Sequence, residues 1–226
     1  MIYVLSDVHG CYDKYIKMLE KIKFCEKDTL YILGDIVDRG KSGLKIALDI
    51  AKKQNIILLR GNHDQQAGIL LSNLYLLQDE EISKKLAPIF SSWISDGGDV
   101  TIKEFLSLTE EEQCIVLNVI KNSLIHKEIN VNGIDYILAH TVPEIEKLDT
   151  YEDWSEEDYI MGEPDYEEVY FEDKIIVTGH TPTAYIERGY KGKIWKKNRH
   201  IAIDCGAVFG NPLGCLRLND MKEFYV

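Results

Sequence analysis

The sequence predicts an α/β fold in one domain, and three observations carry this prediction. Three strand–loop–helix units open the chain, a mostly helical stretch runs from about residue 65 to 122, and short strands separated by turn residues follow it. The chain has 226 residues, of which 45% are hydrophobic, and this is enough to bury one core. We therefore expect a single domain spanning residues 1–226.

The first third of the chain predicts three neighbouring βα units. Short apolar runs with the length of buried strands occupy residues 2–6, 29–33 and 55–59. Apolar residues at helical spacing follow the first two runs. Polar loops therefore lie at the carboxyl ends of all three strands, with the third loop at residues 60–64. Open α/β sheets build their sites at this edge.

The rest of the chain predicts a helical insertion at about 65–122 and then a second, more antiparallel sheet. Within the insertion, Thr109 and Glu112 have the spacing of a capping box in front of an apolar helix. Asn132-Gly133 is a preferred hairpin turn between predicted strands 125–131 and 134–139. Further short strands are predicted at residues 175–177, 201–203 and 213–218.

The negative charge is concentrated in one segment. The formal net charge is −12, and residues 144–173 contain 14 acidic residues and one lysine, Lys147. Five tyrosines and tryptophans in this segment make it too aromatic for a disordered tail, so we expect an ordered, lid-like segment. Because the chain has no broad basic surface, duplex DNA or RNA is not an expected partner.

The five cysteines and the first residues indicate a cytoplasmic protein. The cysteines are odd in number and form no C-x-x-C pair, so neither a disulfide framework nor a zinc knuckle is predicted. The chain opens on an apolar strand without a basic leader, and no apolar run has the length that spans a bilayer. We expect no membrane association, and no pattern predicts an oligomeric state.

Three polar loops carry the chemistry-bearing residues. The first, Asp7-Val8-His9-Gly10, is on its own also typical of a turn aspartate beside a surface histidine. The second spans residues 34–40 and places Asp35, Asp38 and Arg39 between two glycines. An Asp–Arg ion pair at a helix start is the alternative for it. The third, Gly61-Asn62-His63-Asp64, adds an amide oxygen and an imidazole, which suit divalent metals or phosphate.

Two further histidines follow apolar strands in the second half of the chain. His140 and His180 bring the number of histidines at strand ends to four of the chain's six. His126 and His200 fit no such pattern, and we interpret both as structural. The four strand-end histidines, together with the carboxylates of the first two loops, predict a functional site that suits divalent metals or phosphate.

The ordered set of motifs resembles the phosphoprotein phosphatase branch of the calcineurin-like metallophosphoesterases, in particular its bacterial and lambda-phage-type members. The family signature D-x-H-G, G-D-x-x-D-R-G, G-N-H, H and G-H-T occurs in order, ending with His140 and Gly179-His180-Thr181. The resemblance covers nearly the whole chain. It implies a four-layer αββα sandwich, in which two mixed β-sheets lie between helices, known as the metallophosphatase fold.

The resemblance implies a site for two divalent metal ions. The implied ligands are Asp7, His9, Asp35, Asn62, His140 and His180, with Asp35 bridging the two metals. Two divalent cations against two ligand carboxylates leave a net positive site for phosphate. Such a pair can share and deprotonate a water, so that a metal-bridging hydroxide attacks phosphorus in line. Manganese is the expected metal, and iron, zinc and cobalt accept the same ligands.

The same resemblance assigns the catalytic residues. His63 is the implied general acid that protonates the leaving oxygen, and Asp38 orients its imidazole. Arg39 offers a fork of donors to two phosphate oxygens. Arg39, Asn62 and His63 are therefore the expected substrate-binding residues.

The chain departs from the family pattern at three places. Asp64 stands where family protein phosphatases have glutamate, and His140-Thr141-Val142 replaces H-G-G. The family's second phosphate-binding arginine is missing, because no arginine occurs between Arg60 and Arg188. If the acidic segment borders the metals instead, its charge disfavours polyanions such as dinucleoside polyphosphates.

The leading functional hypothesis is a metal-dependent phosphomonoesterase, namely a serine/threonine or broad-specificity protein phosphatase. Its partner is then a phosphorylated protein or a small phosphomonoester. The alternative is a nucleotide hydrolase of the symmetrical diadenosine tetraphosphatase type, which shares these motifs. A non-catalytic metal-binding scaffold is the third hypothesis, and it gives no reason to keep His63, Asp38 and Arg39.

Overall fold

A computed structural model describes residues 1–74 and 80–226, and its strands form two five-stranded mixed sheets. In the first sheet the strands lie in the order β10-β9-β1-β2-β3. They are β1 (Ile2–Leu5), β2 (Thr29–Leu33), β3 (Ile56–Leu59), β9 (Gly214–Arg217) and β10 (Lys222–Tyr225). The first three run parallel, and β9 and β10 are added antiparallel at one edge.

Alternating side chains of the first sheet separate two hydrophobic cores. Tyr3 and Leu5 of β1 pack in a core shared with helices, whereas Val4 packs in a core shared with the second sheet. Leu30 and Tyr31 of β2 divide between the two cores in the same way. This period of two is expected for a strand that is buried on both faces.

Helices cover one face of the first sheet. They are α1 (Tyr12–Ile22), α2 (Gly43–Ile50), α3 (Asn62–Ser72), α4 (Glu80–Trp93), α5 (Asp99–Leu106) and α6 (Glu110–Lys121). A π-helical kink, Ile94–Gly98, joins α4 to α5, and Gly97 there has φ of +98°. The predicted insertion is mostly helical in its described part, while its residues 75–79 lie outside the described residues.

The second sheet has the strand order β4-β5-β6-β8-β7. Its strands are β4 (His126–Val131), β5 (Ile134–Ala139), β6 (Lys174–Thr178), β7 (Trp195–Lys197) and β8 (His200–Ala202). Asn132 and Gly133 have φ of 53° and 84° and join β4 to β5, so the predicted hairpin turn is confirmed. Strands β5, β6 and β8 run parallel. Strands β4 and β7 pair antiparallel at the two edges. The sheet thus has two pairings of each kind, as the first sheet does, so it is mixed and not more antiparallel than the first.

The acidic segment packs on the outer face of the second sheet. Trp154, Tyr159 and Tyr170 form a third core there with Ala139 of β5 and Ile176 of β6. The segment contains a 3₁₀ stretch, Ile145–Asp153, and a short helix α7 (Glu156–Met161). Its aromatic side chains thus serve as the outermost layer, while its carboxylates face water.

The layers are helices, first sheet, second sheet and the acidic segment, which confirms the predicted metallophosphatase fold. One boundary was wrong in a way that concerns the site. The sequence predicts a loop at Asn62 and His63, but they form the first turn of α3. Gly61 is extended at the N-cap, and Asp64 at the third helical position accepts a hydrogen bond from the Gly61 N–H at 3.1 Å.

The remaining elements are short helices, and the cysteines form no disulfide. Helix α8 (Thr183–Ile186) follows β6, and short 3₁₀ turns lie at Arg188–Tyr190 and Ala207–Phe209. All five cysteines are free, as expected from their spacing. Across residues 1–74 and 80–226, no helix has both the length and the apolar character needed to cross a membrane.

Candidate dinuclear metal site

The six predicted metal ligands lie just beyond the ends of five parallel strands. Asp7 and His9 follow β1, Asp35 follows β2 and Asn62 follows β3, while His140 and His180 follow β5 and β6 of the other sheet. The loops are tied together by their backbones. The Asp7 N–H donates to Gly34 O at 3.1 Å, and the His9 N–H donates to Asp35 O at 2.8 Å. The loop edges of both sheets therefore build one site.

Backbone strain is concentrated at this site. Eleven non-glycine residues of the described chain have positive φ, and six of them belong to the predicted site. These six are Asp7, His9, Asp35, Asp38, Arg39 and His180. Such conformations cost on the order of 1 kcal/mol each and persist where the surroundings enforce them. The strain turns side chains from several loops toward one point.

Asp35 lies at the centre of the cluster. Its Oδ2 is 3.5 Å from His9 Nε2 and 3.5 Å from His140 Nε2, and its Oδ1 accepts a hydrogen bond from the His63 N–H at 3.0 Å. A Cβ added to Gly61 would come within 2.1 Å of Asp35 Oδ1, so only glycine fits beside this carboxylate. The arrangement lets Asp35 contact two groups of ligands at once.

Backbone carbonyls fix the orientation of two histidines. The Nδ1–H of His9 donates to Val37 O at 2.8 Å, and the Nδ1–H of His140 donates to Leu33 O at 2.7 Å. Both Nε2 atoms therefore carry the lone pair of the ring, and each lies 3.5 Å from Asp35 Oδ2. Burial lowers the pKa of His9 well below its usual value and also lowers the pKa of His140. Neutral imidazoles held in this way are suited to bind a metal.

Three acceptor atoms converge beside His140. Asn62 Oδ1 is 3.0 Å from His140 Nε2 and 3.1 Å from His180 Nδ1, and the two ring nitrogens are 3.1 Å apart. Burial, followed by the nearby His140, lowers the pKa of His180 to about 3. Since His140 Nε2 carries no proton in the neutral tautomer that donates to Leu33, it offers a lone pair to a cation.

Asp7 supplies a further test of whether cations fit. Its Oδ2 accepts hydrogen bonds from the Ser6 hydroxyl and from the His180 N–H at 3.0 Å. Its Oδ1 is buried and has no hydrogen-bond partner. Burial, and then the charge of Asp7, raise the pKa of Asp35 well above its ordinary value. Two buried carboxylates with a free oxygen and converging nitrogen lone pairs fit divalent cations well.

Two overlapping groups of side chains have the spacing of metal sites. Ligand atoms of Asp7, Asp35 and His140 lie within 4.8 Å of one another, and so do those of His9, Asp35 and His63. Asp35 belongs to both groups, which pair Asp7 with His140 and His9 with His63. His63 appears in the second group although the sequence predicts a different role for it.

His63 is held by a buried carboxylate. Its Nδ1–H donates to Asp38 Oδ2 at 2.7 Å, and the Trp93 Nε1–H donates to the same oxygen at 2.7 Å. The Thr101 hydroxyl donates to Asp38 Oδ1 at 2.6 Å. Asp38 is fully buried. The Nε2 atom of His63 is thereby directed toward the site, which is the orientation that a proton donor needs.

Arg39 lies across the face of the cluster. Its Nη1 donates to His9 Nε2 at 2.8 Å, and its Nη2 is 2.9 Å from His63 Nε2. The same Nη2 donates to Asp96 Oδ1 at 3.0 Å. The guanidinium also lies 5.7 Å from the ring centroid of Phe209. The predicted phosphate clamp is thus beside the predicted ligands.

The sequence did not predict the residues that hold Asp38 and Arg39 in place. Trp93, Asp96 and Thr101 lie in the helical insertion, where no motif predicted a role in the site. The Gly97-Gly98 pair was the available signal, because glycines inside a helical stretch indicate a break. Asp64, noted only as a departure from the family, accepts hydrogen bonds from the Asp35 and Ile36 N–H groups at 2.8 and 3.0 Å.

Two curated bacterial proteins resemble the chain over its whole length. The PrpE asymmetrical bis(5'-nucleosyl)-tetraphosphatase of Anoxybacillus flavithermus is 26% identical, and the match covers 100% of this chain and 94% of that protein. The protein of the same name from Oceanobacillus iheyensis is 29% identical, with 99% and 90% covered. Both likenesses extend over the N-terminal ligand loops and the two later histidines.

A solved structure has the same fold. A crystal structure provisionally described as that of a diadenosine tetraphosphatase superposes with a TM-score of 0.67 and 16% identity. The match covers 100% of this chain and 92% of that chain. Its low sequence identity makes this likeness a statement about the fold alone.

The family model for calcineurin-like phosphoesterases matches residues 1–202, which include every predicted ligand. Members of this family hydrolyse phosphoric esters with a dinuclear divalent-metal site, and the cluster around Asp35 can accept such a site. The match ends close to β8, so it leaves only the last two strands of the first sheet outside. The chain therefore belongs to the calcineurin-like phosphoesterase family and is a hydrolase of phosphoric esters.

Proposed function

We propose that this protein hydrolyses bis(5'-nucleosyl) tetraphosphates. The observation that carries the proposal is the likeness over nearly the whole chain to two tetraphosphatases, of which 94% and 90% are covered. This favours the alternative of the sequence analysis over its leading hypothesis of a protein phosphatase. The substrate is then a small, soluble polyphosphate with a nucleoside at each end.

The ligand cluster divides into two metal positions. Asp7 and His9 would hold one cation, Asn62, His140 and His180 would hold the other, and Asp35 would contact both. When bound, two such cations supply Lewis acidity and an activated water for attack on phosphorus. We propose manganese as the metal, because mixed nitrogen and oxygen donors suit it. Phosphate release measured across a series of divalent metals added to chelator-treated protein tests this choice.

The chain's own residues orient the substrate and move a proton. Arg39 would bind two non-bridging oxygens of the scissile phosphate through its two Nη atoms. Asn62 Nδ2 can donate to the same phosphate, since Asn62 Oδ1 faces His140 and His180. His63 would give the proton on Nε2 to the bridging oxygen as the phosphoanhydride bond breaks. Asp38 stabilises the protonated imidazole through the 2.7 Å hydrogen bond to Nδ1.

The acidic segment is compatible with a polyanionic substrate. Its aromatic residues Trp154, Tyr159 and Tyr170 anchor it on the outer face of the second sheet. Glu156 of this segment lies 3.9 Å from Arg60 Nη1. The carboxylate that does contact Arg39 comes instead from Asp96.

A substrate panel tests the proposal. Bis(5'-adenosyl) tetraphosphate, a phosphothreonine peptide and p-nitrophenyl phosphate would be compared by kcat/KM with manganese present. We expect the dinucleotide to exceed the peptide by at least about tenfold. Anion-exchange separation of the products shows where the substrate is cleaved. Asymmetrical cleavage gives ATP and AMP, whereas symmetrical cleavage gives two molecules of ADP.

Two controls make the panel decisive. Asp35→Asn removes the shared ligand and should abolish turnover of all three substrates, which excludes a contaminating hydrolase. Glu157→Gln, on the exposed first turn of α7, should leave all three rates unchanged. A peptide rate above the dinucleotide rate would favour the protein-phosphatase hypothesis. No metal-dependent turnover of any substrate would favour the hypothesis of a non-catalytic metal-binding scaffold.

A further inference from the structure

Asp96 bridges the two groups that are assigned to the substrate's phosphate. Its Oδ1 accepts a hydrogen bond from Arg39 Nη2 at 3.0 Å, and its Oδ2 lies 3.3 Å from His63 Nε2. Two oxygens of one carboxylate therefore occupy positions that a phosphoryl oxygen and a leaving oxygen would take. Asp96 belongs to neither the ligand cluster nor any motif of the sequence.

The kink between α4 and α5 places this carboxylate. Gly97 O accepts a hydrogen bond from the Arg39 N–H at 3.0 Å, and a Cβ added to Gly97 would lie 2.8 Å from Arg39 Cγ. Trp93 before the kink and Thr101 after it both hydrogen-bond to Asp38. Three hydrogen bonds thus fix the kink on the Asp38-Arg39 loop, so Asp96 is held beside Arg39 by the fold.

The position has a consequence for the charge of the substrate. The side chain of Asp96 is 56% exposed, so it lies at the mouth of the site, where the scissile phosphate must approach. A phosphomonoester carries close to two negative charges above its second pKa of about 6. An internal phosphate of a polyphosphate, or a diester, carries one. A fixed carboxylate within a few ångströms repels the doubly charged group more strongly.

We propose that Asp96 is a specificity-determining residue that selects a singly charged scissile phosphate over a doubly charged one. The carboxylate competes with the substrate for Arg39 and His63, and a second charge on the phosphate makes that competition harder to overcome. The inference rests on the proposed phosphate-binding role of Arg39. It gives a physical reason for preferring the internal phosphate of a tetraphosphate to a phosphomonoester.

Asp96→Asn tests the inference with two synthetic substrates that differ in charge. At pH 8, p-nitrophenyl phosphate is doubly charged and bis(p-nitrophenyl) phosphate is singly charged. We expect the variant to raise kcat/KM for the monoester relative to the diester by about fivefold or more, mainly through a lower monoester KM. Titration calorimetry should also show tighter binding of inorganic phosphate to the manganese-loaded variant, which is a readout independent of turnover.

Asp99→Asn is the matched control, because Asp99 is an exposed acid on the next turn that pairs with Lys103 at 2.7 Å. It should leave the monoester-to-diester ratio unchanged. Asp96→Glu keeps the charge and should keep the wild-type preference. An unchanged ratio in Asp96→Asn, an equal shift in Asp99→Asn, or a fall in kcat for both substrates would overturn the inference. Because neither substrate is a nucleotide, this outcome is separate from failure of the proposed tetraphosphatase activity.

Discussion

Asp38 receives hydrogen bonds from three side chains. The donors are His63, Trp93 and Thr101, each at 2.6 to 2.7 Å. A buried carboxylate that is fully hydrogen-bonded is held in one orientation, and so is the imidazole attached to it. The orientation of the His63 imidazole, the proposed proton donor, therefore depends on residues from α4 and α5 as much as on the loop that contains Asp38.

His63→Asn tests the role of this imidazole. Asparagine can still donate to Asp38 but cannot release a proton, so we expect kcat for an alkyl phosphate to fall by roughly 10²–10⁴. An activated aryl phosphate, whose leaving group needs less protonation, should lose much less. The two rates would be measured with saturating manganese. His126→Asn, on β4, is the control and should change neither; equal losses on both substrates for His63→Asn would argue for a metal-ligand or structural role.

His200 is a buried histidine that the mechanism does not use. It is 1% exposed, its Nε2 lies 2.8 Å from the Thr178 hydroxyl, and the Tyr166 ring centroid is 4.9 Å from its own. Burial lowers the pKa of His200 to about 3. The placement agrees with a structural role, and it predicts a pH dependence of stability.

The unfolded chain binds a proton at this histidine below pH about 6.5, whereas the folded chain does not until pH nears 3. The contribution of the neutral His200 to the free energy of unfolding is therefore fully present above pH about 6.5. It is lost as the pH falls toward 3, by about 1.4 kcal/mol per pH unit. Urea unfolding of chelator-treated protein between pH 7 and 5 should show a shallower decline for His200→Gln than for the wild type. His126→Gln, at an exposed position, should change the slope less, and parallel slopes for all three proteins would contradict the prediction.

At the scale of elements, the capping box of α6 is confirmed in detail. The Glu112 N–H donates to the Thr109 hydroxyl at 3.3 Å, and the Thr109 N–H donates to Glu112 Oε2 at 3.0 Å. Helix α6 contributes Val116 and Ile120 to the core beneath the first sheet. The cap therefore supports a helix on which that core depends.

Thr109→Ala should lower the free energy of unfolding by about 1 kcal/mol, because it leaves an N-terminal backbone N–H without its partner. Thr109→Ser keeps the hydroxyl and is the matched control, so it should lose much less. Urea titration of both variants measures the difference. A loss as large in Thr109→Ser would assign the effect to the missing methyl group instead of the cap.

Elements with a clear local signal were predictable from the sequence. Strands β2 and β5 span the predicted residues 29–33 and 134–139, and Asn132-Gly133 turns as expected. The start of α3 was wrong because its N-cap is Gly61, and glycine is equally common in loops. Strand β7 was not predicted at all, since three residues provide too little periodicity.

The residues of the site also include some that the sequence predicts and one that it does not. The six ligands, Asp38, Arg39 and His63 all follow strand ends, so their convergence was predictable from topology. The contact of Asp96 with Arg39 and His63 arises from a kink between two helices, about 57 residues from Arg39 in sequence. Such a contact depends on how the insertion packs, which no local pattern records.

At the scale of the molecule, the site joins the two sheets. The sheets share an apolar core that includes Leu33 and Leu138, and the ligand cluster caps one end of it. The cluster holds Asp7 and Asp35 close together in a buried setting, where burial and then the charge of Asp7 raise the pKa of Asp35. Cations bound between the sheets would offset the charge of these carboxylates and connect the sheets directly.

Adding manganese to chelator-treated protein should therefore raise the melting temperature. A cation at about 100 times its dissociation constant stabilises a fold by about 2.7 kcal/mol, which corresponds to roughly 5–10 °C for a chain of this size. Asp35→Asn should remove most of the gain while melting no lower than the wild type in the absence of metal, because it removes a buried charge. Calorimetry or circular dichroism on each protein, with and without manganese, measures both effects.

The acidic segment offers a competing explanation for a manganese-dependent rise in melting temperature, since its 14 carboxylates could bind manganese without involving the site. Glu157→Gln, in the first turn of α7, separates the two explanations because it lies in that segment and outside the ligand cluster. It should keep the full manganese-dependent gain. If Asp35→Asn kept the gain and Glu157→Gln reduced it, the stabilising cations would belong to the segment, and the proposed role of Asp35 as a shared ligand would fail.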